Sequence, residues 1–115
     1  LSYSEFVYSN LKINKEEFNS SDTIKVSVNI ENTSEIDGFE TIQLYSSDLY
    51  ASITPDIKRL RDFSKVEIKA GETKTIIFDL PVDNLAFVNL NNDYIVEPGK
   101  FKLTIDKLSK EITVN

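Results

Sequence analysis

The 115-residue chain has no cysteine, no histidine and no tryptophan, and only three glycines. Without cysteine there is neither a disulfide framework nor a thiolate metal site, so packing must hold the fold and the redox compartment stays open. With histidine missing as well, the chain lacks the usual general base, the soft metal ligands and the thiol nucleophile. Three glycines, all in turn-like surroundings, leave no phosphate-cradling loop. No apolar run approaches the roughly 18 residues that a bilayer-crossing helix requires, and no membrane span is expected. Basic residues are also in deficit. Nineteen acidic against thirteen basic side chains give a net charge of −6, which repels the phosphate backbone that nucleic-acid binding must neutralise. The cationic cluster at Lys58, Arg59 and Arg61 is flanked by Asp56 and Asp62 and reads as a solvated or interface face.

What is present is period-two patterning on a chain of single-domain length, so one domain, residues 1–115, is expected. Its 40% hydrophobic content is ordinary for a folded protein. Ile24, Val26, Val28 and Ile30 alternate with polar residues and form the surest core strand. Glu5 to Ile13 alternates too, but its parity changes between Tyr8 and Leu11; this predicts a bulge at Ser9-Asn10, where an edge strand crosses from one sheet to the other. Gly38 is placed in a turn with positive φ, opening a strand from Phe39 to Tyr45. There Ile42 and Leu44 occupy one face, while Phe39 and Tyr45 make the opposite face partly apolar, which implies that something covers it.

Further along, Val66 and Ile68 precede a turn at Ala70-Gly71-Glu72, and Ile76, Phe78 and Leu80 share the inner face of the next strand. Val82 to Val88 reads as a short helical turn leading into a brief strand. Asn91-Asn92-Asp93 has the composition of a hairpin tip, and Pro98-Gly99 marks another turn. Phe101, Leu103 and Ile105 precede a turn at Lys107 to Lys110, and Ile112 and Val114 follow it. No segment of ten residues has helical period. The pattern predicts an all-β, immunoglobulin-like sandwich of about seven antiparallel strands in two sheets.

Several short motifs follow one another along nearly the whole chain: Leu1-Ser2-Tyr3, Phe6, Tyr8-Ser9-Asn10-Leu11, Asn32-Thr33, Gly38, Gln43-Leu44-Tyr45, Lys58-Arg59-Leu60, Phe63, Lys65-Val66, Ala70-Gly71-Glu72-Thr73, Leu85-Ala86-Phe87 and Glu97-Pro98-Gly99-Lys100-Phe101. In order and spacing the chain resembles the fibronectin type III-like domain that ends many enzymes of glycoside hydrolase family 3. Two departures stand out: Pro55-Asp56 follows Ser52-Ile53-Thr54 where family members often carry Arg-Pro, and Asp106 replaces a frequent glycine. In that family a (β/α)₈ barrel supplies an aspartate nucleophile and an α/β sandwich often supplies a glutamate acid, and neither lies in these 115 residues. The resemblance thus implies a non-catalytic accessory domain, docked on the catalytic domains of the same parent chain. The parent would be a β-glucosidase-like exo-glycosidase, secreted or periplasmic. An N-terminus with neither an initiator methionine nor signal-peptide order suits a domain excised from a longer chain.

No residue of this chain is expected to be catalytic and no cofactor is implied. Glu16-Glu17 and the Asp37/Glu40 pair read as surface turn acids, not as the two carboxyl groups about 5 to 5.5 Å apart that retaining glycoside cleavage needs. Asp83, Asn84, Asn91, Asn92 and Asp93 offer oxygen ligands, but their spacing matches no calcium loop, so no metal is expected. Tyr3, Tyr8, Tyr45, Tyr50 and Tyr94 give a carbohydrate-binding alternative, weakened by the missing tryptophan and by the place of Tyr8 and Tyr45 in structural motifs. A third reading is an adhesion or spacer module. The candidate contact residues are Tyr45, Leu49, Tyr50, Ile53, Pro55 and Ile57. The last five sit in an unusually long segment, Leu49 to Leu60, too apolar to be freely solvated. They are expected to be exposed in an isolated, monomeric domain and covered in the parent.

Overall fold

The computed structural model describes residues 5–48, 59–85, 87–88, 94–95 and 99–115. Leu49, Tyr50, Ile53, Pro55 and Ile57, like the hairpin tip at 91–93 and Pro98, lie outside the described residues. Among the described residues ten strands are formed: β1 (Phe6–Ile13), β2 (Glu17–Phe18), β3 (Thr23–Asn32), β4 (Gly38–Asp48), β5 (Arg59–Ile68), β6 (Thr73–Pro81), β7 (Phe87–Val88), β8 (Tyr94–Ile95), β9 (Gly99–Ile105) and β10 (Leu108–Val114). A 3-10 turn at Val82–Leu85 precedes β7, as the pattern there predicts. One sheet has the order β1-β3-β6 and the other β2-β10-β9-β4-β5, while β7 and β8 make a separate two-stranded ribbon. The expected sandwich is therefore present, with eight strands in its two main sheets. One pairing departs from the expected antiparallel pattern, because β2 runs parallel to β10 through Thr113↔Glu17 and Val114↔Phe18.

Period-two burial builds the core. Ile24, Val26, Val28 and Ile30 of β3 are fully enclosed, and they face Ile42, Leu44, Ile68, Leu103 and Ile105 of the larger sheet. Phe78, Leu80, Phe101, Ile112 and Val114 are buried as patterned, while Ile76 is only partly covered at the margin of the cluster.

In β1 the bulge falls where parity predicts. The register with β3 shifts between Ser9 and Lys12, and Asn10 adopts a φ of 54°. The extra residue turns Leu11 into the core on the same side as Phe6 and Tyr8, which strict alternation would forbid. The predicted crossing does not occur, however, because β1 pairs with β3 on both sides of the bulge. A bulge changes which side chain points inward without moving the strand to another sheet.

Three turns differ from expectation. Gly38 is already the first residue of β4, paired with Ile68, and the positive-φ glycines are Gly71 at 75° and Gly99 at 148°. The β9–β10 connection is tighter than the segment Lys107 to Lys110 suggests: Ile105 pairs directly with Leu108, and Asp106 takes a φ of 55°. Finally β5 begins at Arg59, so Arg59 and Leu60 belong to a strand and not to the preceding segment.

A buried amide organises one end of the sandwich. The Nδ2 group of Asn32 donates to the carbonyls of Ile36 at 2.8 Å and Ile68 at 2.9 Å. Its Oδ1 accepts from the Ser34 amide at 3.0 Å and the Ser34 hydroxyl at 2.7 Å. Its backbone exchanges bonds with the next turn, the Asn32 amide donating to Glu72 and the Gly71 amide donating to Asn32. Asp37 caps the same turn by accepting the Ala70 amide at 2.8 Å.

Three stability outcomes follow from this packing. Val28→Asp strands a charge among enclosed aliphatics and should cost on the order of 4 kcal/mol or more; an unchanged urea midpoint would show that the assigned face is wrong. Asn32→Ala should cost about 2 to 4 kcal/mol, since the Ile68 carbonyl loses its buried donor; a loss below about 0.5 kcal/mol would mean that water substitutes for the amide. Asp106→Gly should raise stability by a few tenths to about 1 kcal/mol, the relief at a left-handed position outweighing glycine's greater unfolded-state freedom. A lowered midpoint in denaturant would count against that assignment.

Candidate functional site

The outer face of the larger sheet changes character from one end to the other. Along β4, Phe39, Thr41 and Gln43 point away from the core, opposite Glu67, Lys65 and Phe63 of β5. Phe39 is 64% exposed, Phe63 63% and Leu60 47%. A second register shift between Leu44 and Tyr45 leaves Arg61 as the extra residue of β5, so that Leu60 pairs with Tyr45. This bulge keeps Leu60 on the same outer face as Phe63, which a regular strand would not do. The Lys65 ammonium sits 5.5 Å from the centre of the Phe39 ring, a favourable placement of a cation over an aromatic face. At the other end of the face, toward β9, Ser47 and Thr104 are buried, and their hydroxyls have no hydrogen-bond partner among the described residues.

Tyr45 is half-buried, and its hydroxyl donates to Gln43 Oε1 at 3.1 Å. It is the only one of the six expected contact residues within the described part of the chain. Arg61 is half-buried as well and donates from Nε to the Ser46 hydroxyl at 2.6 Å. Burial, and then the neighbouring charge of Arg59, lower its pKa, yet a guanidinium remains charged at any physiological pH.

A polar cleft of about 180 Å³ opens where β9 turns away from β4, lined by Tyr8, Glu40, Thr41, Gln43, Tyr45 and Asp106. Tyr8 crosses from the smaller sheet to donate its hydroxyl to Glu40 Oε2 at 2.7 Å. Burial first, then the bond to Glu40 and the charges of Glu40 and Asp106, push this phenol far above its usual range. It therefore stays protonated and serves as a donor, not as an acid–base group near neutrality. The cleft is smaller than the roughly 300 Å³ at which small-molecule pockets begin. Glu40, which reads in the sequence as a surface acid, is thus a cross-sheet anchor. Nothing in local patterning signals this bond, because its partners are 32 positions apart. The exposure of Phe63, by contrast, is legible: it shares parity with Lys65 and Glu67.

Among the described residues no three carboxylates are grouped closely enough to hold a metal ion. Asp37 is committed to the Ala70 amide, and Asp22 accepts the Asn19 amide at 2.8 Å and the Lys15 ammonium at 3.2 Å. The Asn19 bond and then Lys15 hold the Asp22 carboxyl below its ordinary range. These acids build turns.

Comparison with known proteins agrees with this architecture. A family model described as a fibronectin type III-like domain matches residues 40–109. A β-xylosidase of Formosa agariphila is 37% identical over 96% of this chain, and thermostable β-glucosidase B of Acetivibrio thermocellus is 35% identical over 99% of it. The crystal structure of a β-glucosidase from Listeria innocua in complex with gluconolactone superposes with a TM-score of 0.90 at 34% identity, covering the whole of this chain. The chain spans only 15% of the length of either sequence relative and 16% of the Listeria chain. Sheet order, core pattern and family match agree, and the chain belongs to the fibronectin type III-like domain family, in the form carried by β-glucosidases and β-xylosidases of glycoside hydrolase family 3.

Proposed function

We propose that this chain is a non-catalytic accessory domain of a glycoside hydrolase family 3 enzyme, stabilising the catalytic domains of the same polypeptide by docking onto them. The observation that carries the reading is its match, from end to end, to a single 16% portion of a β-glucosidase with the same fold. The commitments of its polar groups support it: Tyr8 is held as a protonated donor, and Glu40 and Asp37 are engaged in structural bonds. The proposed parent is a β-glucosidase-like exo-glycosidase in a secreted or periplasmic setting. Within the module the proposed contacts include Tyr45 together with Leu49, Tyr50, Ile53, Pro55 and Ile57, whose apolar character motivates the assignment.

A carbohydrate platform is the less favoured reading. The Tyr8 and Tyr45 hydroxyls already donate their protons to Glu40 and Gln43, and so have none to offer a sugar oxygen.

The purified 115-residue chain should hydrolyse neither aryl β-glucosides nor aryl β-xylosides above background. The full-length product of its gene should hydrolyse at least one of them, and deleting this module should lower that protein's thermal midpoint or its soluble yield. A full-length protein without glycosidase activity, or a deletion that leaves stability and yield unchanged, refutes the proposal.

A further inference from the structure

The two outward faces of the sandwich differ in chemistry. On the smaller sheet the outer face is polar along its central strand: Lys25, Ser27, Asn29 and Glu31 alternate in β3, and Thr75 donates its hydroxyl to Asn29 Oδ1 at 2.8 Å. Its exposed large apolar side chains, Val7 of β1 and Ile77 of β6, stand on the two flanking strands with β3 between them. On the larger sheet Phe39, Leu60 and Phe63 lie bare across two neighbouring strands. Moreover β5 is the terminal strand of its sheet and runs for ten residues. Among the described residues its far side pairs with no strand. Arg59, Arg61, Asp62, Lys65 and Glu67, with the bulge at Arg61, protect that edge itself, so it is the apolar cluster on the outer face of the β4–β5 pair that calls for a cover.

We propose that the outer face of the β4–β5 pair, centred on Phe39, Leu60 and Phe63, is the surface on which this module seats against the rest of its own polypeptide. The inference rests on the accessory-domain reading and adds the face by which the module docks. Three observations select the rest of the polypeptide as the occupant. In the relatives this module is about 15% of the chain, so most of the polypeptide lies outside it, and covalent linkage presents that mass at high effective concentration. The apolar side chains are interleaved with Thr41, Gln43, Lys65 and Glu67, the mixed composition of surfaces that bury about 600 to 1,500 Å² between domains of one chain. A soluble sugar fits less well, because Lys65 already occupies one face of the Phe39 ring.

The test compares the full-length protein with the 115-residue chain by hydrogen–deuterium exchange. Amides of β4 and β5 should exchange at least about tenfold more slowly in the full-length protein. Phe39→Ser/Phe63→Ser should abolish that difference and lower the full-length thermal midpoint by several degrees. The same double substitution should move the midpoint of the 115-residue chain by less than about 2 °C, since both rings are already solvated there. Ile77→Ser, on the opposite sheet, should leave the protection intact. Equal exchange in an active full-length glycosidase overturns the proposed surface while leaving the accessory reading standing. Protection of the same strands in a full-length protein that lacks glycosidase activity supports the surface and removes the accessory reading. Concentration-dependent dimerisation of the 115-residue chain that the double substitution abolishes, or protection of the face by added β-gluco-oligosaccharide, overturns the assigned occupant.

Discussion

The sandwich depends on a single enclosed carboxamide. A two-sheet fold is held mainly by non-directional apolar packing, which tolerates sliding of one sheet over the other. Asn32 removes that freedom at one end. It closes β3 of the smaller sheet, yet its side chain donates to Ile68 at the end of β5 in the larger one. Because the bond to Ile68 forms where water is excluded and the bonds to Ser34 and Ile36 only partly meet solvent, the geometry at Ile68 has no cheap alternative. The turns at Ser34 to Gly38 and Ala70 to Glu72 then follow from that amide, with Asp37 and Glu72 fastening them. At the seam between the sheets, Tyr8 and Glu40 supply a second polar tie.

Strain is placed where it repositions side chains. Asn10 and Asp106 are the two non-glycine residues with positive φ among the described residues. Both are of the types whose short polar side chains tolerate the left-handed region best. Asn10 reverses the parity of β1 so that Phe6, Tyr8 and Leu11 can all face inward, and Asp106 closes a two-residue hairpin. The bulge at Arg61 performs the same operation on the outer surface, bringing Leu60 beside Phe63. Parity changes, and not changes of sheet, distribute apolar groups between the core and the outer face.

Much of the core is readable from residue order alone, since β3 and β9 alternate in sequence, β6 and β10 do so with one exception each at Ile77 and Lys110, and an enclosed face admits only one register. The bulge in β1 is readable for the same reason, as a break in that alternation. What is not readable depends on distance along the chain or on very short elements. The parallel pairing of β2 involves two residues and leaves no periodic trace. The role of Asn32 is hidden because an Asn-Thr-Ser run is equally at home in a solvated turn, and burial of the amide arises only when β5 is brought against β3. Of the six expected contact residues, Tyr45 is half-buried and bonded to Gln43. The apolar surface that the structure displays most openly lies beside it, on Phe39, Leu60 and Phe63.

The parallel pairing of β2 with β10 also has a mechanical meaning. The Thr113 amide donates to Glu16 and the Asn115 amide to Phe18, each at 2.8 Å, so the carboxyl-terminal strand is laced to a segment that enters the fold before β3. When two parallel strands are drawn apart by tension on the chain beyond them, their hydrogen bonds lie across the load and yield together in shear, whereas a hairpin opened from its free ends unzips one bond at a time. A pull applied at Asn115 therefore loads this clasp together with the Val114–Gly99 end of the β9–β10 ladder, and Phe18, anchored in the core, resists it. The two-residue element that local patterning least announces thus adds a shear-loaded tie to a strand otherwise held by its hairpin with β9.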